Sequence, residues 1–270
     1  MGNEAVPPFW AATLRLALAA VLLGAIARAT GARFPRGAAL RGALLFGFFN
    51  FGVNLGLLYW GELRVPSGVA AVFYATNPLS TGLLAALFGV ERLDARKTVA
   101  ALAAMAGVAI VFAGELSLEV PAIALLAVFA AATAAALSNI FLKRAPRQAA
   151  IPVNAVGACV GALVCLAASV LAGEDRALPT TTAGWGPILY LTIAGSLGAY
   201  VIYTWLVARW DITKTSLVGV TAPVVAVLVG AVVKGERPAT ITLLGAALVL
   251  GAVIAGLRTP RRAKAEPAPG

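Results

Sequence analysis

Not one histidine occurs in the 270 residues, and Asp and Glu together number eleven. Charged side chains of both signs make up 12% of the chain, against about a quarter in an ordinary soluble domain. The two cysteines, Cys159 and Cys165, lie six apart in one apolar run, on different faces of a helix, which offers neither a disulfide framework nor a metal site. Lacking histidine, the chain has no HExxH motif and no Ser/His pair, and its acidic residues do not cluster. Enzyme chemistry is therefore not expected, and no cofactor or metal is implied.

What is present is apolar: 61% of residues, with a mean hydropathy of +0.92. So little polar surface could not cover a chain of this length in water, and lipid is the better solvent. The net charge of +10 does not mark a nucleic-acid face, because most of the basic residues sit in short loops between apolar runs. The Ala, Gly, Val, Leu and Arg bias fits a GC-rich bacterial gene.

A helix needs about 20 apolar residues to cross the ~30 Å hydrocarbon layer. Nine runs qualify, at about 7–28, 39–60, 66–88, 97–114, 120–142, 151–172, 185–207, 213–233 and 239–257. Long unbroken runs predict helices, since barrel strands would alternate polar and apolar over about 10 residues. One set of loops and the C-terminal tail carry sixteen Lys and Arg, and the alternate loops carry four. The positive-inside rule places the first set in the cytoplasm, with the C-terminus inside and the N-terminus outside. Phe9, Trp10, Tyr59, Trp60 and Trp185 then fall at the outer interface. The basic, Pro/Ala-rich stretch 259–270 is expected to be a disordered cytoplasmic tail.

The chain also repeats itself. At an offset of 145, Arg64 matches Arg209, Pro78 matches Pro223, Glu91 matches Glu236 and Arg92 matches Arg237. After a one-residue gap, Thr98 matches Thr242 and Gly107 matches Gly251. An Ala/Leu/Gly bias cannot align Arg, Pro and Glu. The matched loops fall on opposite sides of the membrane, so the repeats are inverted, a mark of secondary transporters. The expected fold is thus all-α: nine transmembrane helices in two inverted repeats of four and five, spanning 1–115 and 116–258.

Several segments carry a family resemblance. They are Pro8-Phe-Trp-Ala-Ala-Thr-Leu-Arg15-Leu, Asn77-Pro78 followed by Glu91-Arg92-Leu, Ala222-Pro223 followed by Glu236-Arg237, and Gly245, Gly251 and Gly256. In order and spacing they resemble the drug/metabolite transporter superfamily, specifically its EamA-type permeases of ten helices in two five-helix repeats. The resemblance implies a bacterial inner-membrane permease of small metabolites, with efflux the commoner theme. Two departures stand out. The family's first helix is missing, so either the start codon lies upstream or this is a nine-helix variant. Position 101, which corresponds to Gly245, is alanine.

Few polar residues lie at depth, and these are the candidates for solute binding. Pro78 and Pro223 sit mid-span and would free the carbonyls of Tyr74 and Gly219. Such a carbonyl is tolerated only beside protein, water or solute. The alternative is simple helix curvature. Arg15 lies about 12 Å below the outer edge at 1.5 Å per residue. Unpaired, it costs about 2.5–3.5 kcal/mol on insertion scales. It would hold a carboxylate or carbonyl of the solute, or bond helix-end carbonyls. Asn50 and Asn54 share one face of the second span; Asn77, Asn139, Tyr200 and Tyr203 complete the set. For any single one of these groups, interhelical glue worth about 0.6 kcal/mol is the favoured reading over solute binding. Glu91 and Glu236 read as helix-end carboxylates paired with the adjacent arginine, and no Asp, Glu or His lies inside a span. Direct proton coupling is disfavoured on that ground.

The reading is a secondary carrier of a small metabolite, an amino acid or a drug-like amphiphile, working by alternating access. The alternative is a lipid-handling or non-transporting membrane subunit. Expected partners are membrane lipid and the solute, with a second copy of the chain left open and nucleic acid excluded. The topology is checked by single cysteines: at Thr30 and Ala265 they should resist impermeant thiol reagents in intact cells, and at Asp175 one should label. Labelling at both Thr30 and Ala265 would reverse the orientation.

Overall fold

Apolar runs become helices throughout. The computed structural model describes residues 6–114, 120–233 and 239–258, and every regular element within them is helical. Glu115, Glu119, Lys234, Glu236, Arg237 and the tail from 259 lie outside the described residues. The elements are α1 (Pro8–Ala29), α2 (Ala38–Phe46), α3 (Leu55–Glu62), α4 (Ser67–Tyr74), α5 (Asn77–Leu87), α6 (Ala95–Val111), α7 (Ala122–Arg144), α8 (Ala150–Leu171), α9 (Thr182–Tyr190), α10 (Tyr200–Arg209), α11 (Ile212–Gly219), α12 (Ala222–Val233) and α13 (Thr240–Leu257).

Eight of the resulting segments are long and apolar enough to cross a membrane. Four of them join two helices: Ala38–Glu62, Ser67–Leu87, Thr182–Arg209 and Ile212–Val229. The helix α6 has 17 residues, at the short end of the spanning range. Asp94 starts it by accepting from the backbone N–H of Arg96 and Lys97.

The bundle is arranged as lipid demands. Large apolar side chains such as Leu171, Leu87 and Val232 point outward, while the interior is rich in alanine: Ala12, Ala19, Ala131, Ala132 and Ala136 are fully buried. Lipid tails are as apolar as leucine, so association comes from close packing of small residues rather than from hiding large ones. The pairs α1 with α8 and α6 with α13 make the most extensive contacts. Where α6 crosses α13, an added Cβ on Gly245 would stand 2.8 Å from the Gly107 carbonyl oxygen and 2.8 Å from the Val111 nitrogen. Backbone meets backbone there, which only glycine permits.

Two kinds of irregularity interrupt the spans. Gly47–Asn54, between α2 and α3, and Leu191–Ala199, between α9 and α10, are π-helical. Such segments are rare and are frequently found at functional sites. The other kind is an outright break, at Ala75–Thr76 between α4 and α5 and at Val220–Thr221 between α11 and α12. Pro78 and Pro223 each fall in the first turn after a break, where a missing N–H costs nothing. The Thr76 hydroxyl donates to the Phe73 carbonyl at 2.7 Å, and Thr221 donates to Val218 at 2.7 Å.

Gly245→Ala should therefore lower the melting temperature in detergent, at a cost of about 1–3 kcal/mol for overpacking. Gly251→Ala, on the same helix with nothing within 4 Å of the new methyl, should leave it unchanged or raise it.

Candidate functional site

The sequence-derived candidates are buried or half-buried among the helices. Arg15, on α1, is 6% exposed. Its Nε donates to Ser196 Oγ at 3.1 Å and its Nη1 to Tyr59 Oη at 2.7 Å. The guanidinium carbon lies 5.9 Å from the centroid of the Tyr200 ring. Gly195 makes room for this: a Cβ there would stand 2.8 Å from Arg15 Nη2. Among the described residues no carboxylate lies within ion-pair distance of Arg15. A guanidinium has five N–H donors, and only two are matched by these bonds. The cation is thus held by neutral oxygens and a ring face, at a depth where charge is costly.

Below Arg15 lie amides and phenols. Tyr74, the last residue of α4, donates from its hydroxyl to Asn54 Oδ1 at 3.1 Å. Asn54 Nδ2 in turn donates to the Asn50 carbonyl at 3.1 Å, inside the first π-helical segment. Asn139 Nδ2 donates to Tyr203 Oη at 2.8 Å. Asn50 Nδ2 and Asn139 Oδ1 are buried without a hydrogen-bond partner among the described residues. Buried polar atoms without partners are uncommon in natural proteins.

Asn77 and the prolines are placed differently. Asn77 Nδ2 donates to the Ala132 carbonyl at 2.8 Å, tying α5 to α7, which is the interhelical role weighed for it. Pro78 is buried and Pro223 half-buried, each at the helix start that follows its break. Ser196 completes the Arg15 contact, and nothing in the sequence pointed to it. Its only signal is position, one residue after a glycine within a span that also carries tyrosines.

At the end of the molecule that holds Glu91, the expected pairing of Glu91 with Arg92 is not what forms. The Glu91 carboxylate accepts from the backbone N–H of Ile212 and, at 2.9 Å, from Thr213 Oγ1. It caps α11 from 121 residues away, because the orphan N–H groups of a helix start are better partners for a half-buried carboxylate than a solvated arginine. Lys97 Nζ lies 3.7 Å from Glu91 and 3.0 Å from Asp211, and Lys214 lies 3.8 Å from Asp211. A cavity of about 590 Å³ opens among Glu91, Arg92, Asp94, Lys97 and Asp211. Among the described residues no group of three or more His, Cys, Asp or Glu could hold a metal.

Comparison with known proteins agrees with this architecture. The pattern of the EamA-like transporter family matches residues 1–113 and 122–257. The uncharacterized inner membrane transporter YedA of Escherichia coli (strain K12) is 28% identical over 255 residues, covering 94% of this chain and 83% of YedA. A probable terminal-alkyne amino-acid exporter of Streptantibioticus cattleyicolor is 27% identical over 259 residues, covering 95% of this chain and 86% of the exporter. One solved structure, described only as the crystal structure of a protein, superposes with a TM-score of 0.78 at 21% identity, over 94% of this chain and 88% of its own. At that identity the likeness is one of fold.

Asp211 gives the site a pH signature. Burial alone would raise its pKa, but the Lys97 hydrogen bond and the charges of Lys97, Lys214 and Lys143 outweigh burial and hold it below the ordinary carboxylate value. A depressed folded-state pKa contributes stability that is present above the unfolded value of about 3.9 and lost as pH falls through the folded one. Melting in detergent should therefore be insensitive to this group at neutral pH and fall below about pH 4. Asp211→Asn should lower stability at pH 7 and flatten that acid loss.

Proposed function

The chain belongs to the EamA-like transporter family, and from that premise we propose that it is a secondary carrier of a small carboxylate-bearing solute, an amino acid in particular, working by alternating access. The two inverted halves would be 1–115 and 116–258, in the inner membrane of a bacterium, with the Glu91 end and the C-terminus on the cytoplasmic side. The observation that carries the solute class is Arg15, buried without a carboxylate partner among the described residues. A solute carboxylate would complete its donor set, and charge-assisted pairs are about twice as strong as neutral ones. Asn50, Asn54, Tyr74, Asn139, Tyr200 and Tyr203 would hold the rest of the solute, and Asn77, Pro78 and Pro223 would shape the helix breaks beside it.

Irregularities that recur at the repeat offset support the inverted halves. The π-helical segments Gly47–Asn54 and Leu191–Ala199 overlap when shifted by 145, and the breaks at Ala75–Thr76 and Val220–Thr221 coincide. The threonine hydroxyl bonds at the breaks are the same bond twice. Arg64 stacks 3.9 Å from the Trp60 centroid, and Arg209 stacks 4.2 Å from Trp205, again 145 residues on. Carriers built this way hold their solute near the midplane, where broken helix backbone and side-chain dipoles converge. The relative named as an amino-acid exporter supports the choice of solute class.

The test is counterflow in proteoliposomes with a panel of labelled amino acids and their decarboxylated amines. Arg15→Ala should reduce exchange of the carboxylate solutes about ten- to a hundredfold, the equivalent of a charge-assisted hydrogen bond. Exchange of the amines should change much less, and Arg15→Lys should restore part of the loss. The proposal fails if no solute on the panel exchanges, or if Arg15→Ala slows acids and amines alike.

A further inference from the structure

The π-helical segment Leu191–Ala199 meets Arg15 through three of its residues. Thr192 Oγ1 lies 3.3 Å from the Arg15 carbonyl oxygen, and Ser196 Oγ accepts from Arg15 Nε at 3.1 Å. Gly195 stands beside Nη2, where an added Cβ would lie 2.8 Å away. From the other side, the Tyr59 hydroxyl on α3 takes an N–H of Nη1 at 2.7 Å. Among the described residues, Nη2 is thus the Arg15 nitrogen that makes no hydrogen bond.

A carboxylate grips a guanidinium with both oxygens in two ways, along the edge of Nε and Nη2 or across the end of Nη1 and Nη2. Nη2 belongs to both forks. The single N–H of Nε is already taken by Ser196, which closes the first fork. Nη1 has two N–H groups and Tyr59 takes one, so the second fork stays available. What keeps Nη2 in place is the missing side chain at 195. A methyl 2.8 Å away would stand well inside the roughly 3.5–4.0 Å at which non-bonded heavy atoms sit comfortably. The far end of an arginine is free to swing, so a methyl there displaces the guanidinium and leaves the helices where they are.

We propose that Gly195 sets the carboxylate selectivity of the carrier, because its bare Cα holds Arg15 Nη2 in place as the nitrogen that binds the solute carboxylate. The inference rests on the carrier reading above and deepens it by naming the donor and the residue that keeps it accessible. Gly195 makes no bond to the solute and is a positioning residue. Ser196 beside it ties down Nε, so two consecutive residues of one π-helical segment fix which edge of the guanidinium is closed and which is offered.

The test is counterflow by the full chain in proteoliposomes, with the half-saturating concentration and the maximal rate read separately for amino acids and for their decarboxylated amines. Gly195→Ala should raise the half-saturating concentration of the carboxylate solutes about tenfold, as expected for loss of one charge-assisted hydrogen bond. The maximal rate and the exchange of amines should not move. Gly198→Ala is the control: it lies in the same π-helical segment, its new methyl comes no nearer than 3.6 Å to the Ile193 carbonyl oxygen, and it should change neither quantity. Lysine carries one compact ammonium and no second nitrogen. In an Arg15→Lys background, Gly195→Ala should therefore cause no further loss, and this pair reports even if Gly195→Ala alone folds poorly. The assignment is overturned if Gly195→Ala behaves like Gly198→Ala, slows acids and amines alike, or costs as much beside lysine as beside arginine. Carboxylate exchange that depends on Arg15 but not on Gly195 removes this inference and leaves the carrier. Absence of exchange by the original protein removes the carrier and this inference with it.

Discussion

Inside the hydrocarbon layer no water is available to a released carbonyl or N–H, so every departure from a straight helix must be made good by the protein itself. This chain departs from straight helices often, and its polar residues are placed accordingly. Asn54 returns to the Asn50 carbonyl within a π-helical segment. Thr192 reaches the Ile188 carbonyl at 2.7 Å within the other. Thr76 and Thr221 serve the two breaks, and Asn77 crosses to α7. With those demands met locally, the polar atoms left over become informative. Arg15 has donors to spare, and Asn50, Asn139, Asn154 and Ser169 have buried atoms without partners among the described residues.

The same constraint orders the packing. A bundle in lipid gains nothing by hiding leucine, so its helices approach through alanine and glycine and turn bulk outward. The most extensive helix contacts run along α1–α8 and α6–α13. The interrupted spans carry Asn50, Asn54, Tyr74, Tyr200 and Tyr203, while Arg15 and Asn139 lie on the uninterrupted helices α1 and α7. Regular and irregular helices thus both contribute polar groups to the interior.

The spans themselves were plain in the sequence, because the cost of moving backbone and side chains into hydrocarbon exceeds every local preference. The run read as 7–28 is the helix Pro8–Ala29, and that read as 239–257 is Thr240–Leu257. The burial of Arg15, Asn50 and Asn54 was legible for the same reason, since lipid-facing positions cannot keep such groups cheaply. The nature of the irregularities was not. A π-helical turn leaves the apolar pattern of a run unchanged, and Pro78 and Pro223 marked the helix starts that follow the breaks rather than the breaks themselves. The partner of Glu91 was hidden more deeply. Its bond to α11 joins residues 121 apart, and no local pattern distinguishes it from a solvated helix-end carboxylate beside an arginine.

Glu174 has a comparable reach, and it bears on the order in which the molecule is made. Its two carboxylate oxygens accept from the backbone N–H groups of Phe9 and Trp10 at 3.1 Å and 2.8 Å, so the start of α1 is completed by a residue 165 positions later. At elongation speeds of about 5–20 residues per second, that is a delay of roughly 8–33 s between synthesis of the start of α1 and synthesis of its cap. Through that interval the exposed N–H groups of α1 depend on the membrane interface for partners. The start of α1 is therefore completed only after α8, which ends just before Glu174, has been made.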